Sequence, residues 1–149
     1  MIEPILLTFS VACPLDHAFD VWTARIDRWW PRDHTVSGAD AMDLTVVLEG
    51  RPGGRIFERT ASGAEHDWGE VTAWEPPTRL AYTWHLNRDR SDATDVEIRF
   101  SALDEASTQI AIEHRGWERL GADGPVWRER NGGGWATLLP HYVRAAERT

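Results

Sequence analysis

Ile5, Leu7, Phe9 and Val11 alternate with Leu6, Thr8 and Ser10, the period-two pattern of a strand with one face turned to a core. Cys13-Pro14 ends that pattern, and Pro14 or Leu15 opens a helix whose apolar face is Leu15, Ala18, Phe19 and Trp22. Asp16 sits near the positive N-terminal end of that helix. A second short helix is expected over Arg25 to Trp30, stopped at Pro31 because the residue before a proline is pushed out of the helical region. Pro31 to Met42 is polar and contains glycine, and reads as a loop.

From Asp43 the pattern changes to short alternating runs. Leu44, Val46 and Leu48 form one; Glu49 to Gly54 is a turn; Arg55 to Thr60 returns; Ser62-Gly63-Ala64 is the next turn. His66 to Trp74 is a further strand, ended by Pro76-Pro77, and Leu80, Tyr82, Trp84 and Leu86 alternate after it. A charged turn from Asn87 to Ala93 leads to Val96, Ile98 and Phe100, which alternate with Asp95, Glu97, Arg99 and Ser101 as in a sheet with one wet face. Leu103 to Ala106 turns, Thr108, Ile110, Ile112 and His114 make the last inward face, and Gly116 to Gly124 reads as a loop. Strands at this spacing form an antiparallel meander, and its dry face needs a cover.

The cover is the terminal segment, Pro125 to Ala146, where Trp127, Asn131, Trp135, Leu138, Tyr142 and Ala146 fall on one helical stripe. Gly132, Gly133 and Gly134 lie inside that helix at about 1 kcal/mol each relative to alanine, which predicts a close approach by sheet or ligand. Pro140 predicts a kink near Ala136. The expected order is a strand, two helices, about six antiparallel strands and a bent terminal helix, an α+β fold in one domain over 1–149 with space left between helix and sheet.

Composition narrows the function. The net charge of -8 disfavours nucleic acid or an anionic membrane as partner. The lone Cys13 excludes an internal disulfide and suits a reducing compartment. Ile5-Leu6-Leu7 is too short for a signal core or membrane span, so a cytoplasmic protein without membrane insertion is expected. Nine tryptophans suit cores, pockets and interfaces.

Several motifs, taken together in their order, carry a resemblance over almost the whole chain. They are Trp29-Trp30-Pro31, Pro52-Gly53-Gly54-Arg55, Gly69-Glu70-Val71 with Glu75-Pro76-Pro77, Arg79 to Trp84, His114-Arg115-Gly116-Trp117, and Gly134-Trp135 with Leu138-Leu139. The chain resembles the START-like helix-grip superfamily, in particular homologues of the heat-shock-protein-90 ATPase activator. That resemblance implies a curved antiparallel sheet of six to seven strands gripping a long C-terminal helix, with an apolar cavity inside. Its members include lipid and hormone carriers, polyketide cyclases and dehydratases, and chaperone-associated modules. The glycine run and Pro140 depart from the family pattern, so ligand identity does not carry over.

Chemical candidates are few. His66-Asp67 and Asp33-His34 have no metal-ligand spacing, and no nucleophile elbow, phosphate loop or dinucleotide fingerprint is present. No cofactor, metal or catalytic residue is therefore assigned. His114, inward with Ile110 and Ile112, is either a hydrogen-bonded core histidine or a ligand-orienting or acid–base group. Glu58 needs a buried partner (Arg55, Arg99 or a ligand group; it is also the carboxylate available to pair with His114) if it faces in, and is a surface charge if Phe57 faces in instead. Trp22, Trp84 and Trp135 belong to inner faces, while Trp29, Trp30 and Trp117 flank loops at the cavity mouth. The expected ligand-binding set is Trp22, Trp30, Phe57, Glu58, Tyr82, Trp84, His114, Trp117, Asn131, Trp135, Leu138 and Tyr142. The expected function is non-enzymatic binding of a small apolar or aromatic molecule between sheet and helix. The alternatives are a cyclase or dehydratase using His114, and a module that docks on a protein partner or pairs as a homodimer.

Overall fold

In the computed structural model, which describes residues 2–38 and 43–148, seven strands form one antiparallel sheet. The strands are β1 (Ile5–Val11), β2 (Thr45–Leu48), β3 (Arg55–Arg59), β4 (Glu65–Glu75), β5 (Arg79–Trp84), β6 (Thr94–Asp104) and β7 (Ser107–Arg115). Their order is β1-β7-β6-β5-β4-β3-β2, a meander with the first strand added to its last edge. Residues 39–42 of the expected Pro31 to Met42 loop lie outside the described residues.

Register follows the alternation. Ile5 pairs with His114, His114 with Val96, Val96 with Tyr82, and Tyr82 with Val71, so one buried row crosses five strands. The next inward rows hold Ile98 with Ile112 and Phe100 with Ile110, all buried, while Arg99 between them and Ser101 after them are exposed. The exception is β3. A register shift between Ile56 and Phe57 breaks the period, and Ile56, Phe57 and Glu58 are all buried. The choice the sequence posed, Phe57 or Glu58 inward, is resolved as burial of both on different faces: Arg55 and Arg59 cover the Phe57 ring at 4.1 and 5.3 Å.

The helices are α1 (Leu15–Trp22), α2 (Ile26–Trp29) and α3 (Gly124–Glu147). α3 buries Trp135, Leu138, Tyr142 and Ala146. It is tied down at both ends: Arg128 donates to the Glu3 and Pro4 carbonyls, and the Ala12 amide donates to Glu147. Pro140 does not interrupt it. Ala136 and Pro140 are both exposed, where water meets a carbonyl that has lost its helical donor. Gly116 to Gly124 is also more ordered than the expected loop, since residues Trp117–Asp123 form 3-10 turns entered through a left-handed Gly116 at φ 96°.

Of the two close approaches expected at the glycine run, by sheet or by ligand, that of the sheet is not found. A Cβ on Gly133 or Gly134 would meet nothing within 4 Å, and one on Gly132 only Ile5 Cδ1 at 3.9 Å. A close approach that does require glycine lies in β4, where a Cβ on Gly69 would sit 1.9 Å from the Thr83 carbonyl oxygen.

Candidate functional site

The space expected between sheet and helix is largely filled by aromatic rings. Trp22 lies 4.7 Å from Tyr142, 5.2 Å from Trp29 and 6.2 Å from Trp135 between ring centroids. Trp30, Trp68 and Trp84 form a second group at 5.1 to 5.8 Å, with Tyr82 against Trp84 at 5.7 Å. What remains between the end of β5 and α3 is a cleft of about 60 Å³, or about 340 Å³ with its open mouth. Trp30 and His34 form one wall, Trp84 and Leu86 another, and Asn131, Gly134, Trp135 and Leu138 of α3 the third. The bare glycine backbone thus makes room rather than contact. Larger hollows lie elsewhere, one beside α1 and one along β1 and α3.

Five of the twelve expected site residues therefore line one cleft: Trp30, Trp84, Asn131, Trp135 and Leu138. The Asn131 amide nitrogen donates to the Trp127 carbonyl at 2.8 Å, which leaves its oxygen without a protein partner. His34, Leu86 and Gly134 were not in the expected set. Leu86 and Gly134 had been marked by alternation and by the glycine run, whereas nothing in the sequence singled out His34 as a wall.

His114 is fully buried, and both of its ring nitrogens are hydrogen-bonded within the protein. Trp135 Nε1 donates to His114 Nδ1 at 3.1 Å, so Nδ1 is unprotonated and Nε2 carries the hydrogen that Thr94 Oγ1 accepts at 2.7 Å. The Thr94 hydroxyl donates onward to the Trp84 carbonyl. Trp117 stacks 4.3 Å from the imidazole and donates to the His114 carbonyl. Burial, with the Arg88 guanidinium nearby, pushes His114 down to about 3, so the ring is neutral at pH 7. Its expected carboxylate partner, Glu58, is engaged elsewhere.

Glu58 accepts from the Val36 amide, the Ser37 amide, the Ser37 hydroxyl and Trp68 Nε1, at 2.6 to 2.9 Å. Burial raises its carboxyl, but these hydrogen bonds outweigh burial and hold it below the ordinary carboxylate range. It fastens the loop after α2 to the sheet. Neither Arg55 nor Arg99 pairs with it: Arg55 binds Glu65 and Asp67, and Arg99 binds Glu97. Tyr142 donates to the Ala18 carbonyl at 2.7 Å and is fully buried. Trp22 and Trp117 are likewise completely enclosed, Trp117 under the sheet rather than at a mouth.

Among the described residues no group of three or more His, Cys, Asp or Glu side chains is placed to hold a metal ion, and no helix is long and apolar enough to cross a membrane.

The family model described as Activator of Hsp90 ATPase homolog 1-like protein matches residues 12–142. No curated protein sequence matches the chain significantly. Among solved structures, the anthrahydroquino-γ-pyrone synthase Txn09, complexed with a compound designated SUM, is 28% identical, with a TM-score of 0.57 over 83% of this chain and 82% of that one. The self-sacrificing resistance protein CalC from Micromonospora echinospora is 23% identical, with a TM-score of 0.68 over 97% and 92%. An HSP90 activator from Plasmodium falciparum is 18% identical, with a TM-score of 0.65 over 95% and 94%.

Proposed function

We propose, on the premise that this chain belongs to the family of Activator of Hsp90 ATPase homolog 1-like proteins, that it binds a small planar aromatic molecule in the cleft between β5 and α3 and leaves it chemically unchanged. The observation that carries this reading is the make-up of the cleft. Three indoles and two leucines converge on Gly134, a point of the helix without a side chain, with one amide oxygen at Asn131 that has no protein partner. Such a slot favours a flat ring by stacking and apolar burial, and orients it by one hydrogen bond. Its size sets a limit. About 60 Å³ takes a few water molecules, so the ligand inserts one ring beside Gly134 and leaves the rest at the open mouth. The likeness to Txn09, itself a synthase with a bound compound, supports an aromatic ligand but leaves open whether this chain acts on it.

Binding without turnover is favoured by the state of His114 and Glu58, the two buried acid–base candidates that the sequence singles out. His114 has both ring nitrogens engaged and no proton to give near pH 7, and both Glu58 oxygens are occupied. The single Cys13 has no second cysteine to pair with in this chain, which suits the reducing, cytoplasmic setting expected.

The test uses 1,4-naphthoquinone, which quenches indole emission on contact. Wild type should show saturable quenching, and Gly134→Leu should lose it without a fall in melting temperature, since the Cβ meets no protein atom within 4 Å and the rest of the side chain enters the cleft. Equal quenching in Gly134→Leu would remove the cleft as the site. Chemical conversion of the probe by wild type but not by His114→Gln would replace binding with catalysis.

A further inference from the structure

A second hollow, of about 460 Å³, lies between α1, the β2–β3 turn and the β4–β5 turn, and shares no residue with the cleft. Its walls are aromatic and aliphatic: Phe19 meets Trp74 edge-on at 5.2 Å and 64°, beside Leu48 and Pro77. Trp74 is only half buried, and its position depends on Gly50, where a Cβ would sit 2.7 Å from the indole Cζ2. Two carboxylates, Asp16 and Asp20, stand one helical turn apart on the α1 wall. Arg25 Nε reaches Asp20 at 2.7 Å, but among the described residues Asp16 has no hydrogen bond or ion pair, and no basic residue lines the hollow.

We propose that this hollow is a binding site for a small organic ammonium ion carrying an apolar group. The exposed part of the Trp74 ring attracts a cation electrostatically, the apolar group fills the Leu48–Pro77 side, and Asp16 and Asp20 supply opposite charge at the rim. A neutral ligand of the same shape would use only the walls, and an anion would meet the carboxylates and the chain's net charge of -8. The α1 dipole accounts for Asp16 in the first turn and Arg25 pairs with Asp20, but neither accounts for a glycine that lets an indole stand open beside both carboxylates.

The experiment follows backbone amide and indole NMR shifts of the whole chain titrated with benzyltrimethylammonium and, separately, with benzyl alcohol as the neutral counterpart. The cation should shift the Gly50, Ala24 and Trp74 signals and bind more tightly than the alcohol. Asp16→Asn should weaken it about threefold and Asp16→Asn with Asp20→Asn about tenfold, with the alcohol unaffected. Gly50→Ala displaces the indole without changing charge and should weaken both probes. Equal affinity for cation and alcohol, an affinity indifferent to the two asparagine substitutions, or shifts at Trp30, Trp135 and Gly134 instead would each overturn the assignment. Because the two sites share no residue, failure here leaves the aromatic cleft standing, and failure there leaves this site standing.

Discussion

His114 shows how a side chain suited to acid–base work is made into a strut. Its two ring nitrogens link α3, through Trp135, to β6, through Thr94, and the link requires the neutral ring. The unfolded chain takes up a proton near the ordinary histidine value of 6.5, whereas the folded ring does so only near 3. The folded state therefore binds fewer protons between those values. It loses stability as pH falls from about 6.5 toward 3, by up to about 5 kcal/mol. Glu58 adds to this in the acid range: its folded value is lowered, so its contribution is present above the ordinary carboxylate value and lost as pH drops through the folded one. His114→Gln keeps an acceptor for Trp135 and a donor for Thr94 without a titrating proton. Urea unfolding at pH 7 and pH 4.5 should show a smaller difference in the variant than in wild type, and an unchanged difference would sever His114 from acid sensitivity. Glu58→Gln points an amide at a ring of donors and should cost about 3 kcal/mol at pH 7. Its measured unfolding free energy checks this, and a loss under about 1 kcal/mol would mean that the 36–37 loop is not held by the carboxylate.

At the scale of elements, what was legible and what was not divide along one physical line. β1, β7 and β6 as far as Phe100 have one face on the core and one in water, so burial follows the alternation that the sequence displays. β3 was not legible because its register shift lets Arg55 and Arg59 shelter Phe57 while Glu58 is buried against Ser37 and Trp68, and nothing in Arg55-Ile56-Phe57-Glu58-Arg59 announces a shift. Trp117 was placed at the mouth because it follows Gly116. The left-handed turn at that glycine instead folds the indole beneath His114. In α3 the glycines were read as sites of contact, yet glycine can also serve by having no side chain to occupy a space. The two uses make opposite predictions. Gly133→Ala meets open space and should gain about 1 kcal/mol of helix propensity, a rise of about 2–4 °C in melting temperature. Gly69→Ala, facing the Thr83 carbonyl, should destabilise the protein strongly. Calorimetry on both decides it: a fall with Gly133→Ala would restore a contact role to the run.

For the whole molecule, the grip of sheet on helix could be read from period and order, because both are properties of short windows. The volume between them could not, since it depends on how eight large rings settle against one another after every register is fixed. They settle densely: Trp22, Trp29, Trp135 and Tyr142 on the helix side and Trp30, Trp68, Trp84 and Tyr82 on the sheet side fill the space that the expected cavity would occupy. Trp135 joins both: it packs on Trp22, bonds His114 and lines the cleft. Removing its indole therefore extends the existing cleft inward. Trp135→Ala should cost about 3–5 kcal/mol, from lost burial and an unfilled space together with an unpaired His114 nitrogen. If the surrounding rings hold their places, the new space has the shape of an indole and adjoins an opening to solvent. Free indole added to Trp135→Ala should then raise its melting temperature in a saturable way, because a ligand bound only by the folded state stabilises it by mass action. Indole should do less for wild type, whose cleft is smaller, and little for Trp22→Ala, since Trp22 is fully enclosed and does not border the cleft. Absence of rescue in Trp135→Ala, alongside a retained fold by circular dichroism, would mean that the rings collapse into the gap and that the cleft has no route inward.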